Sequence, residues 1–186
     1  MKPPARTARR IALVLSALAV LVSVGCGVAA RHAFAMRGVV ESDPEALVGP
    51  LLWFLVLLLV ALLLRMGAAV CELLWLERTW SNLPLELRKV GPIEKVEPIV
   101  LIGVSLVPGV AWIWKLGVID AVARGFEAIR ARVPFTAPVP RRLGVAAVVV
   151  GWVPGLNVYV APFLWEVFAT RIDRCVSEIE ARRAPA

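Results

Sequence analysis

Apolar residues gather into long stretches along this chain, and the lengths of those stretches set the first expectation. Residues 11–30 run from Ile11 to Ala30 without a charge, behind a start carrying Lys2, Arg6, Arg9 and Arg10. A helix of that length rises about 30 Å, enough to cross a bilayer. The second stretch, residues 47–65, contains Leu51-Leu52-Trp53-Phe54-Leu55-Val56-Leu57-Leu58-Leu59-Val60. Pro50 suits a first helical turn, and Arg65 can carry its charged head to the headgroups while its stem stays in hydrocarbon. Further on, Leu73, Leu76, Trp80 and Leu83 keep helical spacing, with Glu72, Glu77, Arg78 and Asn82 outside that stripe. The pattern predicts an amphipathic extension to residue 83, lying at or emerging from the cytoplasmic face, with those four polar residues interfacial and Pro84 as its stop.

The last two stretches, residues 98–122 and 143–168, share a plan. Val104-Ser105-Leu106-Val107-Pro108-Gly109 and Val150-Gly151-Trp152-Val153-Pro154-Gly155 align at an offset of 46, which also pairs Asp120 with Glu166 and Glu127 with Asp173. Amphipathic tails follow, on Ile119, Val122, Phe126, Ile129 and Val133 in one and Ile172, Cys175, Val176 and Ile179 in the other. An internal duplication is the reading. Pro108-Gly109 and Pro154-Gly155 break their helices, and lipid cannot satisfy the freed carbonyls, so each break must face protein or a wet cavity. Two outcomes stay open: a kinked spanning helix packed on a neighbour, which is commoner, or a discontinuous helix lining a site near the membrane midplane.

Charge and length disagree about these stretches. Residues 124–142 carry five arginines, Arg124, Arg130, Arg132, Arg141 and Arg142, which would break the positive-inside trend if they formed an outer loop. Re-entrant hairpins would keep them cytoplasmic. Length favours full spans. The expected fold is therefore an all-α polytopic membrane helical bundle, a single membrane domain over residues 1–186 with about four transmembrane segments. The last two are broken at Val-Pro-Gly, with re-entry as the alternative. Ala33-Phe34-Ala35 offers a small-x-small cleavage pattern, but the apolar run before it is longer than an ordinary signal core, which favours a retained helix.

Composition agrees with a membrane address. The 186 residues are 60% hydrophobic with a mean hydropathy of +0.80, yet the formal charge is +7. Soluble domains use about 45–50% apolar residues. Arg exceeds Lys and Ala, Val and Leu dominate, a bias of GC-rich bacterial genomes; the expected location is the bacterial inner (cytoplasmic) membrane, multi-pass, with a cytoplasmic N-terminus. No basic stripe interleaves with stacking aromatics, so nucleic acid is not an expected partner. The expected partners are the bilayer itself, with anionic lipids at the basic loops, and either further copies of the chain or another membrane protein. The seven Trp would then serve largely as interfacial anchors.

Candidate chemistry is sparse. Cys26, Cys71 and Cys175 lie far apart without a CxxC pair, and His32 is the single histidine, so no metal, cofactor or disulfide framework is expected. There is no GxSxG, HExxH or nucleophile–base pairing, and an enzyme is not expected. Lys115, Asp120, Asn157 and Glu166 interrupt apolar sequence. An ionisable group deep in a membrane helix costs about 2.5–3.5 kcal/mol on insertion scales, which makes these four the candidate intramembrane or pore-lining residues. The plainer account puts them at headgroup level, since Lys115 and Glu166 each close a long uncharged run.

Trp75, Arg78, Asn82 and Leu83, followed by Trp152, Pro154, Asn157, Pro162 and Glu166, resemble a pattern of small bacterial multi-pass membrane proteins of unknown function. In that pattern a W-x-x-R-x-x-x-N-L helix end precedes an apolar segment with a proline break and a downstream Asn. The resemblance covers about residues 71–175, and Ala111 stands where the first repeat would need that Asn. It implies a membrane protein and no particular reaction. The leading functional expectation is a non-enzymatic scaffold or accessory subunit of a membrane assembly. The alternative is a small transporter or channel using discontinuous helices at Pro108-Gly109 and Pro154-Gly155.

Overall fold

A computed structural model describes residues 6–36, 48–107 and 109–183. The described chain is helical: α1 (Arg6–Ala35), α2 (Val48–Ser81), a 3₁₀ turn (Leu85–Leu87), α3 (Pro98–Ser105), α4 (Ala111–Arg132), α5 (Arg141–Val150), α6 (Leu156–Tyr159) and α7 (Ala161–Arg183). Among the described residues the single β-type pairing is the isolated bridge of Val90 with Ile93. Pro108 and the acidic stretch around Glu41, Asp43 and Glu45 lie outside the described residues.

Two helices, α1 and α2, are long and apolar enough to cross a membrane. α1 exceeds the segment anticipated at 11–30 because helix continues through the flanking polar residues, and α2 covers the segment anticipated at 47–65 together with most of its expected extension to residue 83. The stretches 98–122 and 143–168 are each interrupted instead. The first divides into α3 and α4, the second into α5, α6 and α7. Gly109 and Gly155 take φ of +80° and +83° at the two bends, the left-handed region that glycine enters without a side-chain clash.

The chain forms two compact units: Ile11–Val70, and Met1–Arg10 together with Cys71–Ala186. In the first, α1 and α2 run antiparallel, since a Cβ built on Gly25 would lie 3.7 Å from Leu57 and one on Gly67 would lie 3.1 Å from Leu15. The buried positions here are small: Ala12, Ser16, Ala19 and Cys26 on α1, Ala61 and Ala68 on α2. Most of the large side chains of α2, Leu51, Leu52, Trp53, Leu58, Leu59 and Leu63 among them, are exposed.

The second unit has a core of large residues. α4 supplies Val118, Val122, Phe126 and Ile129, and α7 supplies Phe168, Ile172, Val176 and Ile179. α5 packs on both, and glycine makes this possible: a Cβ on Gly144 would come within 2.5 Å of Ile119 and 2.6 Å of Phe168. The amphipathic stripe expected to face the membrane surface belongs to this core, with Leu76, Trp80 and Leu83 buried alongside Trp75. Trp75 meets Trp165 and Phe168 edge-on, with centroids 5.7 and 6.1 Å away. Trp80 donates its indole N–H to the Val96 carbonyl at 2.8 Å, and Trp114 to the Leu101 carbonyl at 3.1 Å. Trp75, Trp80 and Trp114 are thus packing residues with satisfied polar tips rather than interfacial anchors.

Candidate functional site

The densest polar cluster of the larger unit lies on one face of α7. Glu166, Thr170, Asp173 and Ser177 recur at spacings of four, three and four, which stacks them along a helix. The opposite face carries Phe168, Ile172, Cys175 and Ile179, all buried in the core, and this fixes the polar stripe toward the first turns of α1. Arg9 lies between the two acids, its Nε 3.2 Å from Glu166 Oε1 and its Nη1 2.9 Å from Asp173 Oδ2. Arg9 Nη1 also donates to Thr170 Oγ1 at 3.1 Å, and Thr170 in turn donates to the Glu166 carbonyl at 2.8 Å. Arg6 donates to Ser177 Oγ at 2.8 Å. The Trp75 indole N–H closes the far side, donating to Asp173 Oδ1 at 3.0 Å.

The cluster is only partly compensated. One guanidinium faces two carboxylates, and the Asp173 side chain is 6% exposed. Arg9 Nε, facing Glu166, and Asp173 Oδ2, facing Arg9 Nη1, are buried atoms without an aligned hydrogen bond, so each of these two contacts is ionic only. Burial pushes the Asp173 carboxyl above its ordinary value, against the pull of the Trp75 hydrogen bond and of the Arg9 and Arg6 charges. The arrangement fastens the N-terminal turn to the last helix.

Two further carboxylates organise the loop side of the unit. Asp120 on α4 receives Arg141 at 2.6 Å and Arg124 at 2.9 Å. Glu178 on α7 accepts from the Thr136 and Ala137 amides at 2.7 and 3.1 Å and from the Thr136 hydroxyl at 3.0 Å, which holds its carboxyl below the ordinary glutamate value. Arg130 donates to the Ala137 carbonyl and sits 4.6 Å above the Phe135 ring.

The four intramembrane candidates are placed separately. Asp120 belongs to the arginine pair on α4, and Glu166 to the Arg9 cluster on α7. Lys115 on α4 and Asn157 on α6 are half-buried. Of the break residues, Gly109, Pro154 and Gly155 are exposed at the bends. Among the polar residues expected at the interface, Asn82 is buried, while Glu72, Glu77 and Arg78 are half-buried. Glu77 accepts from Ser81 at 3.0 Å. In the sequence Arg9 reads as a flanking charge and Trp75 as part of a helix-end pattern, and Thr170 carries no signal of its own. The four-three-four polar stripe on α7 was a readable signal for half of the cluster, but nothing local points from it to Arg9. Among the described residues, no group of three or more His, Cys, Asp and Glu stands where it could hold a metal ion. The free thiols of Cys26 and Cys175 are buried, and burial pushes that of Cys175 up to about 11.

No family model, no curated protein and no solved structure matches this chain.

Proposed function

We propose that this is an integral membrane protein of the bacterial inner membrane acting as a non-enzymatic scaffold or accessory subunit. In this reading α1 and α2 span the bilayer, and both chain ends lie on the cytoplasmic side. The observation that carries it is the exposure of α2: a 34-residue helix of which 6% of the most apolar window is buried. A core helix of a water-soluble domain hides such a surface, whereas lipid solvates it. A retained first helix is favoured because Arg9, in the first turns of α1, pairs with Glu166 and Asp173 of α7, and its removal would take the nearest positive charge from the buried Asp173.

Two crossings return the chain to its starting side, consistent with Arg6 and Arg9 bonding to α7. The arginines of 124–142 are then cytoplasmic, as the positive-inside trend demands. Under this reading the Val-Pro-Gly segments re-enter or ride on one face rather than span. The transporter alternative draws on the paired bends, but the bends expose apolar side chains, and Asp120 and Glu166 serve different ion pairs.

Topology and transport are measured on the same reconstituted protein. Phe135, an obvious loop probe, is buried, so the exposed Ala131→Cys is the better site. Membrane-impermeant maleimide should label it from the side that labels Arg10→Cys. Labelling from opposite sides would restore four spans. Proteoliposomes should show no solute flux above protein-free vesicles; flux abolished by Asn157→Ala plus Glu166→Ala would establish the channel reading instead.

A further inference from the structure

We infer that the bend after α3 and the bend after α5 form one apolar wedge that inserts into the hydrocarbon of a single membrane leaflet. The inference rests on the reading of α1 and α2 as spans. Its first support is charge. Between Glu97 and Lys115, and again between Arg142 and Glu166, the chain carries no charged residue, and each charge-free window is centred near a Val-Pro-Gly bend.

The second support is exposure. Val110, Trp112 and Ile113 at one bend, and Trp152, Val153 and Leu156 at the other, are all exposed, Ile113 at 72%. Trp112 and Trp152 meet edge-on with centroids 6.3 Å apart, which joins the two bends into one patch. Large contiguous apolar patches on a protein surface mark contact with another apolar phase.

Arm length and backbone pairing make lipid the occupant. α3 has 8 residues and α5 has 10, hence about 12 and 15 Å of helix, against about 15 Å for half a hydrocarbon core. Hydrocarbon also demands that backbone groups pair internally. At the first bend Ala111 N–H reaches the Val107 carbonyl at 3.0 Å. At the second, Gly151 reaches Ala147 at 3.1 Å, Asn157 reaches Val153 at 3.0 Å, and Val158 and Tyr159 both reach Gly155 at 3.0 and 3.1 Å. Ser105 turns its hydroxyl back to the Leu101 carbonyl at 2.7 Å. A wedge of this depth displaces lipid in one leaflet only, a geometry sensitive to lipid packing and curvature.

The test uses the full chain in proteoliposomes, with an environment-sensitive fluorophore attached at Ile113→Cys, Val153→Cys or Leu58→Cys in a Cys26→Ala, Cys71→Ala, Cys175→Ala background. Positions 113 and 153 should be quenched several-fold more by acyl-chain nitroxide lipid than by iodide added to either side, as should position 58 in the middle of α2. Iodide quenching at 113 and 153, with 58 still lipid-quenched, would overturn the wedge and leave the spans standing. Shielding of 113 and 153 from both quenchers would mean that protein covers the patch, and would equally overturn it. Failure at position 58 would sink the spanning reading itself. A second measurement needs no cysteine background: Trp112→Leu with Trp152→Leu should lower the fraction of intrinsic fluorescence quenched by brominated lipid, and an unchanged fraction would refute the insertion.

Discussion

The two units of this protein are built inside out with respect to each other. Ile11–Val70 buries Ala12, Ser16, Ala19, Ala61 and Ala68 and displays Leu52, Leu58, Leu59 and Leu63. The larger unit buries Trp75, Trp80, Phe126, Phe168 and Ile172, and its charged residues line its surface and the single Arg9 cluster. Water drives large apolar groups together, so a core of big side chains is the signature of folding against water. Between helices in lipid that drive is absent, and small residues that let backbones approach become the packing surface. The difference is the one expected if the helix pair sits in lipid as proposed and the core of the larger unit folds against water, and each kind of packing should fail under a different kind of substitution.

The largest expected effect falls on the charge cluster. Arg9→Ala leaves Glu166 and Asp173 facing each other with the guanidinium gone. Losing one partner of a buried ion pair costs about 3–5 kcal/mol. Thermal unfolding in detergent micelles, followed by tryptophan fluorescence, should show a large drop for Arg9→Ala and almost none for the exposed neighbour Arg10→Ala. Equal melting of the two variants would mean that the cluster contributes nothing to the fold.

Leucine truncation then separates the units directly. Leu101 on α3 is 0% exposed and Leu59 on α2 is 57% exposed. Leu101→Ala should cost about 3 kcal/mol in the same melt, the usual figure for a buried leucine. Leu59→Ala should change it by less than about 0.5 kcal/mol, as for exposed positions generally. The inverse substitution reverses the roles. Ala19, 0% exposed on α1, has no room for growth, and Ala19→Leu should cost about 1–3 kcal/mol by overpacking the helix pair. If Ala19→Leu is silent, the small-residue packing of α1 on α2 is wrong.

Different parts of this architecture were legible in the sequence to different degrees. The two long apolar helices were, because an unbroken leucine run admits few other readings. So were the bends, because Pro-Gly acts locally. The extension over Leu76, Trp80 and Leu83 was legible as an amphipathic helix, but periodicity says only that one face is apolar, and it does not distinguish lipid from a protein core as the cover. The same ambiguity made Trp75, Trp80 and Trp114 look like interface anchors. The Arg9 cluster was not legible, since its bonds join residues 161 positions apart and helix spacing is silent about such partners. The stretches 98–122 and 143–168, expected as spans on their length, are interrupted helices, because each bends at a glycine in the left-handed region and so does not run its full apolar length as one rod.

Acid titration offers the finest discrimination, since the described residues 11–36 and 48–70 of the helix pair contain no Asp or Glu. Two carboxylates on α7 of the larger unit should act with opposite sign. Burial raises Asp173, so the folded state holds its proton more tightly than the unfolded state does; stability then falls as pH rises from the ordinary aspartate value through the folded one. Asp173→Asn, which can keep an acceptor for the Trp75 N–H, should remove that fall. Glu178 is held below 4.5 by the Thr136 and Ala137 amides, so its contribution is fully present above 4.5 and is lost as pH drops through the folded value. Glu178→Gln should flatten that acid limb alone. Melting temperatures of the two variants and the parent, taken across pH 3 to 7 (roughly the carboxylate range), should thus diverge at opposite ends. Parallel curves would show that neither carboxylate changes its proton affinity on folding, and would remove the electrostatic half of the contrast between the units.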